Sequence, residues 1–320
     1  MRKYTLIILF TIGCLSVFGQ QQGLYTNYFL NDYYFNPAIA GSKGVSIASF
    51  SYKNQWVGFE GAPKTIMGNV SGSIKNEGKM GYGVTIISDN IGLTNNLSIL
   101  LTYAHHIKIN EKLKLGLGVQ TGYLQNRVKL YDTKLADLDD DVFSGNVLTE
   151  NGIDFNWGFN LYSEKYYFMG AVNHLFIDKL SIASYNQRLE KNYNVIGGYK
   201  FNFEKQKIEI EPSIMVQYVK GSPTNVTTLL KTTYNKTYWL GISYNNSEKI
   251  GIGLGYLMNE RLSLGYAYDL SLSGLNSYHS GSHEISISYI ITHKKPSFEE
   301  EDEKLNNSIM DEMKKKLKQK

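Results

Sequence analysis

From residue 43 onward, apolar and non-apolar positions alternate in one segment after another. In 81–87, Tyr82, Val84 and Ile86 fall on one side and Gly83 and Thr85 on the other. Leu113, Leu115, Leu117, Val119 and Tyr123 alternate with Lys114, Gly116, Gly118, Gln120 and Gly122. Ile208, Ile210, Ile214, Val216 and Tyr218 oppose Glu209, Glu211, Ser213 and Gln217, and Ile250, Ile252, Leu254 and Tyr256 oppose Gly251, Gly253 and Gly255. The last such segment sets Ile285, Ile287 and Tyr289 against Glu284, Ser286 and Ser288. A strand sends successive side chains to opposite faces, so each segment predicts a strand with one greasy face and one small or polar face. Lipid outside and lumen inside is the arrangement that uses both.

The segments number about fourteen, each near the length a tilted membrane strand needs. Their predicted spans are 43–54, 64–74, 80–89, 95–108, 112–124, 152–162, 165–173, 192–203, 206–219, 225–234, 236–246, 248–257, 260–269 and 282–292. The connections supply a second signal. Short ones fall at 75–79, 109–111, 163–164, 203–206, 235–236 and 258–259. Longer ones intervene at 55–63, 125–151, 174–191 and 270–281, with 246–247 a short exception. An even strand count with short turns at one end and long loops at the other predicts an all-β protein, a transmembrane antiparallel outer-membrane barrel over 43–292 with both termini periplasmic.

The ends read differently. Residues 1–19 have the form of an export signal: Arg2 and Lys3, an apolar core, then Val17-Phe18-Gly19 before Gln20. Cys14, the single cysteine, lies inside it; the apolar run after it argues against lipidation, and the mature chain then has no thiol for a disulfide or a nucleophile. Residues 20–42 are rich in aromatics and asparagine, lack sustained alternation, and predict a segment that plugs the barrel or lies on its periplasmic side. Asn36-Pro37 there signals a turn. Residues 293–320 place acids first and bases last, which suits a short charged helical tail, solvated or docked in the periplasm.

Composition adjusts this picture little. Tyrosine (25) and glycine (30) are plentiful and proline (5) is scarce, which favours strands, and a formal charge of +4 gives no argument for nucleic acid. No mature segment is apolar enough for a spanning helix. The loop 55–63 holds Trp56, Val57, Gly58, Phe59, Gly61 and Pro63: two large aromatics in a backbone that glycine and proline shape, either an ordinary packed loop or a partner contact. The acidic run 137–141 has the oxygen ligands calcium takes but lacks the glycine and closing glutamate of an EF-hand loop. His105 and His106 point to opposite faces of one strand and cannot share a metal from it. The Gly251, Gly253 and Gly255 spacing follows strand period rather than a dinucleotide fingerprint. No motif of an enzyme, a metal site or a cofactor site emerges.

The residues Phe35-Asn36-Pro37-Ala38-Ile39-Ala40-Gly41-Ser42, then Gln55-Trp56-Val57-Gly58-Phe59-Glu60-Gly61-Ala62-Pro63-Lys64-Thr65, then Gly83 through Gly92, and His283-Glu284-Ile285-Ser286-Ile287-Ser288-Tyr289 resemble the PorP/SprF family of outer-membrane proteins. The resemblance runs from about residue 21 to 291 and departs from the common form at Ile39 and in the tail. It implies a non-enzymatic barrel of the type IX secretion and gliding machinery of Bacteroidetes, lodged in outer-membrane lipid. It further implies partners: a secreted surface protein or adhesin bearing a type IX C-terminal signal, and periplasmic or peptidoglycan-linked components of the machinery. Asn36, Pro37 and the 55–63 loop are the first candidates for those contacts; the alternative reading is a porin or transporter for small solutes.

Overall fold

The computed structural model describes residue 28 and residues 30–74, 78–129, 147–176, 190–274 and 278–292. The expected export signal, the acidic run 137–141 and the tail 293–320 lie outside the described residues.

Alternation becomes a wall. The strands are β1 (Ile47–Asn54), β2 (Lys64–Ser73), β3 (Met80–Ile91), β4 (Thr94–Lys108), β5 (Lys114–Lys129), β6 (Val147–Tyr162), β7 (Tyr166–Asn173) and β8 (Asn192–Tyr199). They continue as β9 (Phe201–Phe203), β10 (Ile208–Val219), β11 (Asn225–Tyr234), β12 (Tyr238–Asn245), β13 (Lys249–Met258), β14 (Leu262–Ser271) and β15 (Ser282–Ile290). Each pairs antiparallel with its neighbour in sequence, except that β8 and β9 both pair with β10, and β15 pairs with β1 from Ile47↔Ile290 to Asn54↔His283, which closes the ring. Closure leaves no sheet edge inside the hydrocarbon, the condition a lipid solvent imposes.

The expected strand 192–203 is split into β8 and β9. Both pieces keep one register on β10, Ser213↔Gly198 and Ile210↔Phe201. The gap between them faces Glu211-Pro212, and proline has no N–H to give the ladder. Counted as one, β8 and β9 make this a fourteen-stave barrel.

Two other boundaries move further. β5 runs to Lys129 and β6 begins at Val147, where the alternation predicted 112–124 and 152–162. The added residues are polar on both faces: outside, Tyr123 and Gln125 donate to Asn151 (2.5 and 3.0 Å), and on the lumen side Asn126 donates to Asn96 (2.6 Å). Hydrogen-bonded pairing continues past the level at which the outer face must be greasy, so the hydropathy signal stopped before the strand did.

The outer face is apolar where lipid would touch it: Val84, Ile86, Leu101, Leu240, Ile242, Ile252, Leu254, Ile285 and Ile287 are all exposed. Aromatic rings mark its two margins, Tyr199 with Phe201 and Tyr238 with Tyr256 near the short turns, Tyr193 with Tyr218 near the long loops. Tyr193 to Phe201 spans roughly 26 Å of strand, or about 20 Å across the membrane at the usual tilt, close to the height of a barrel's apolar band.

Candidate functional site

The lumen in the half nearest the short turns is occupied by the chain itself. Asp32–Phe35 forms one helical turn, and Asn36 caps a following 3-10 turn, Pro37–Ile39, through its side chain. Tyr28, Tyr33, Phe35, Ile39 and Ala40 are buried there together with Ala104, Met169, Ile196, Met215 and Leu229 of the wall. These four larger wall residues occupy positions that alternation assigns to the lumen. Apolar residues on the supposedly polar face were the sequence signal for a packed plug, and the sequence reading passed over it.

Hydrogen bonds fix the plug's register. Asn36 Nδ2 donates to the carbonyls of Phe159 (2.8 Å) and Gly170 (3.3 Å), while its Oδ1 accepts from the Ala38 amide (2.9 Å). His106 meets the Ala40 carbonyl at 2.7 Å through Nε2 and Tyr162 at 3.0 Å through Nδ1. A carbonyl only accepts, so Nε2 carries the proton and Nδ1 accepts from the tyrosine. Tyr33 donates to Thr102 (2.6 Å), which also receives Gln120 (2.9 Å); Gln120 accepts from Asn156 (2.8 Å), and Asn156 accepts from the His174 amide (2.9 Å). One polar chain thus runs from the plug up the lumen to the start of the β7–β8 connection.

Wall glycines make the room. A Cβ on Gly118 would lie 2.6 Å from the Ala38 Cα, and one on Gly81 or Gly83 would collide with the Ala40 carbonyl or the Tyr33 hydroxyl. The small lumen face is therefore the negative of the plug's shape. Asp32 pairs with Lys43 at 2.8 Å. Burial opposes the Asp32 charge, but the charge and hydrogen bond of Lys43 more than offset it and hold the carboxyl below the usual range. Burial also pushes the Tyr33 phenol up, so it remains a neutral donor. Beside the plug, a cavity of about 1020 Å³ opens between the short turns, lined by Asp32, Lys43, Lys231, Glu209, Trp239 and Ser286 among others.

The 55–63 loop lies at the opposite end and is clasped rather than slack. The Val57 amide donates to the Gly281 carbonyl (2.9 Å), the Ser280 amide to Val57 (2.7 Å), and the Gly92 amide to Gly61 (2.9 Å). Trp56 takes a left-handed φ of 46° and stacks on His279 at 6.3 Å, with Lys249 Nζ 5.9 Å from its ring. Pro63 is buried, Val57 is half-buried, Gly58 and Gly61 are exposed, and Phe59 is 51 % exposed. Just below, Lys53 sits between Asp269 (3.5 Å) and Glu284 (3.7 Å), all three buried across the β14–β15–β1 seam. The sequence candidates therefore fall in two places. Trp56, Val57, Gly58, Phe59, Gly61 and Pro63 share the long-loop rim; Asn36, 1 % exposed, and Pro37 lie inside the lumen, where the Asn36 side chain is bonded to the wall and the Pro37 carbonyl accepts the Ala40 amide of the same turn. Among the described residues no group of three or more histidines and acids is placed to hold a metal ion.

Comparison with known proteins agrees with this architecture. The structure is similar to the CymD monoaromatic hydrocarbon channel, with 12 % identity, 83 % of this chain and 94 % of that chain covered, and a TM-score of 0.50. Likeness extends to the P. putida toluene transporter TodX (9 % identity, 82 % and 94 % covered, TM-score 0.48) and to a Pseudomonas aeruginosa FadL homologue (11 % identity, 80 % and 93 % covered, TM-score 0.45). At 12 % identity the likeness to the CymD channel speaks for the barrel fold alone. No curated protein matches the sequence. The family described as type IX secretion system membrane protein PorP/SprF matches residues 17–289, nearly the whole barrel and its plug, and the chain belongs to that family.

Proposed function

We propose that this barrel is a non-enzymatic docking scaffold in the outer membrane, holding an exported surface protein such as an adhesin for the type IX machinery. In this reading the long-loop end faces outward and meets the exported protein. The short turns and both termini face the periplasm and meet peptidoglycan-linked components. The observation that carries it is the seated plug. A lumen half filled by a segment that is hydrogen-bonded and shape-matched to the wall suits a scaffold better than an open pore. The clasped loop with Phe59 outward supports it, since a fixed exposed aromatic is a ready contact.

The test is recovery of the full-length barrel from gently solubilised outer membranes, with mass spectrometry of what accompanies it. Type IX components together with one large surface protein are expected; the barrel alone would overturn the reading. Phe59→Ala should reduce recovery of the surface protein without affecting barrel assembly, and unchanged recovery would remove the loop from the contact. A second reading, passage of small solutes, is favoured by the cavity of about 1020 Å³ at the short-turn mouth. Steady single-channel conductance of the purified protein in planar bilayers would support it, and silence the scaffold.

A further inference from the structure

The cavity at the short-turn mouth is one-sided. Asn36 and Ala38 of the plug press on β5, β6 and β7. The wall from β10 round to β2 lines the cavity of about 1020 Å³, and it carries Lys207, Lys231, Lys236 and Arg261. Among the described residues none of these four cations forms an ion pair, whereas Lys43 of the same lining is held by Asp32 at 2.8 Å. Lys231 lies 5.7 Å from the centre of the Trp239 ring. Glu164, Glu204 and Glu209 share the lining without pairing with the four, and the adjoining turns add Lys165, Lys200 and Lys205 against Glu260. Positive charge is therefore in excess at this mouth. A recess with such an excess between low-dielectric walls concentrates its field and draws an anion.

The C-terminal segment leaves the wall at the edge of the same recess. Ile290 and Arg261 both line it. The Ile290 amide donates to the Arg261 carbonyl (2.9 Å) and the Ile291 amide to the Ser46 carbonyl (2.8 Å), while Thr292 Oγ1 accepts the Ser46 amide (2.8 Å). These bonds fix the point of exit. Seven residues beyond Thr292 the sequence reads Glu299-Glu300-Glu301-Asp302-Glu303, five acids in succession. Seven residues span at most about 24 Å. Arg261 adjoins the exit. Lys236, in the β11–β12 turn, is three strand spacings from β15, about 14 Å, and Lys207, before β10, is five, about 24 Å. The acidic run thus reaches every one of these cations. The lysines at 314, 315, 316, 318 and 320 carry the sign that the recess repels.

From this we infer that residues 299–303 seat in the short-turn mouth against Lys207, Lys231, Lys236 and Arg261, so that the chain caps its own cavity. The cap closes the lumen below the plug. Another acidic polypeptide reaches these cations only by displacing it. Such a cap is independent of whether the barrel works as a scaffold or as a channel.

The test is zero-length carboxyl-to-amine cross-linking of the full-length barrel in detergent, read by mass spectrometry. Links from residues 299–303 to Lys207 and Lys236 are expected, at least about tenfold more abundant than links to Lys112, an equally exposed lysine in the β4–β5 turn. Equal yields at the three lysines, or no link to Lys207 and Lys236, overturn the inference. So do links that join two chains when isotope-labelled and unlabelled barrels are mixed, since the occupant is then a second copy's tail. Chymotrypsin gives an independent readout, because Phe298 and Leu305 flank the run. Lys207→Glu together with Lys236→Glu should speed cleavage there at least about tenfold. Adding Glu299→Lys, Glu301→Lys and Glu303→Lys should restore slow cleavage, with heat-resistant gel migration reporting assembly of every variant. If the reversed lysines leave the rate unchanged, or the reversed acids fail to restore it, charge pairing at the mouth does not hold the run. Fast cleavage in the unmodified barrel also overturns the cap and leaves the mouth to residues 20–27 or to a partner.

Discussion

Replacing Gly118 with valine should unseat the plug and leave the barrel standing. Gly118 lies on β5 with its lumen side against the plug: an added Cβ would sit 2.5 Å from the Pro37 carbonyl carbon and 2.6 Å from the Ala38 Cα, where ordinary contact begins at 3.4 Å. Both are backbone atoms of a capped turn, so relief requires the turn to move by about 1 Å. That displacement takes the 2.7 Å contact between His106 and the Ala40 carbonyl and the 2.8 Å bond from Asn36 to Phe159 out of hydrogen-bond range. Overpacking costs about 1–3 kcal/mol and each lost bond about 1 kcal/mol, together about 4 kcal/mol against the seated state. The seated-to-released ratio then falls about a thousandfold. The strand itself gains, because a β-branched residue suits an extended backbone better than glycine. The assay is protease cleavage within residues 30–42 of the folded barrel, alongside heat-resistant migration of the wall. Cleavage should accelerate with migration unchanged. If the valine variant resists protease as well as the unmodified protein does, the glycine cradle is not what seats the plug.

Two further outcomes follow from the ion pairs. Lys53→Met strands the buried carboxylates of Asp269 and Glu284 without their cation, and should lower barrel stability by about 3–5 kcal/mol. Thermal unfolding in detergent reads it, and adding Asp269→Asn and Glu284→Gln should restore most of the loss. By contrast, Asp32→Asn should change plug protection by less than about 1 kcal/mol, because the Asp32–Lys43 pair is 37 % and 52 % exposed at its two side chains. The lowered Asp32 pKa means this small contribution is present above the unfolded carboxylate value and fades as pH falls through the folded one. Plug protection that drops sharply in acid and follows Asp32 would contradict that ranking.

The fourteen staves, their alternation and the parity of short turns and long loops were legible in the sequence, because a strand's period of two and the greasy outer face are written residue by residue. Trp56 and Phe59 could be singled out the same way, as large aromatics in a loop shaped by glycine and proline. What alternation could not carry was anything that depends on two distant stretches meeting. Gly81, Gly83 and Gly118 read simply as small lumen residues; only closure of the ring brings them against residues 33–40 and makes them a mould. Asn36 looked like a turn residue, and is one, but its side chain also reaches the carbonyls of β6 and β7. The unequal height of the wall was hidden because, beyond the membrane, strands no longer need an apolar face. There the backbone ladder alone marks β5 and β6. Local pattern determined the strands and their faces; the plug seat and the clasped loop were decided by long-range packing and backbone hydrogen bonding, which no local period records.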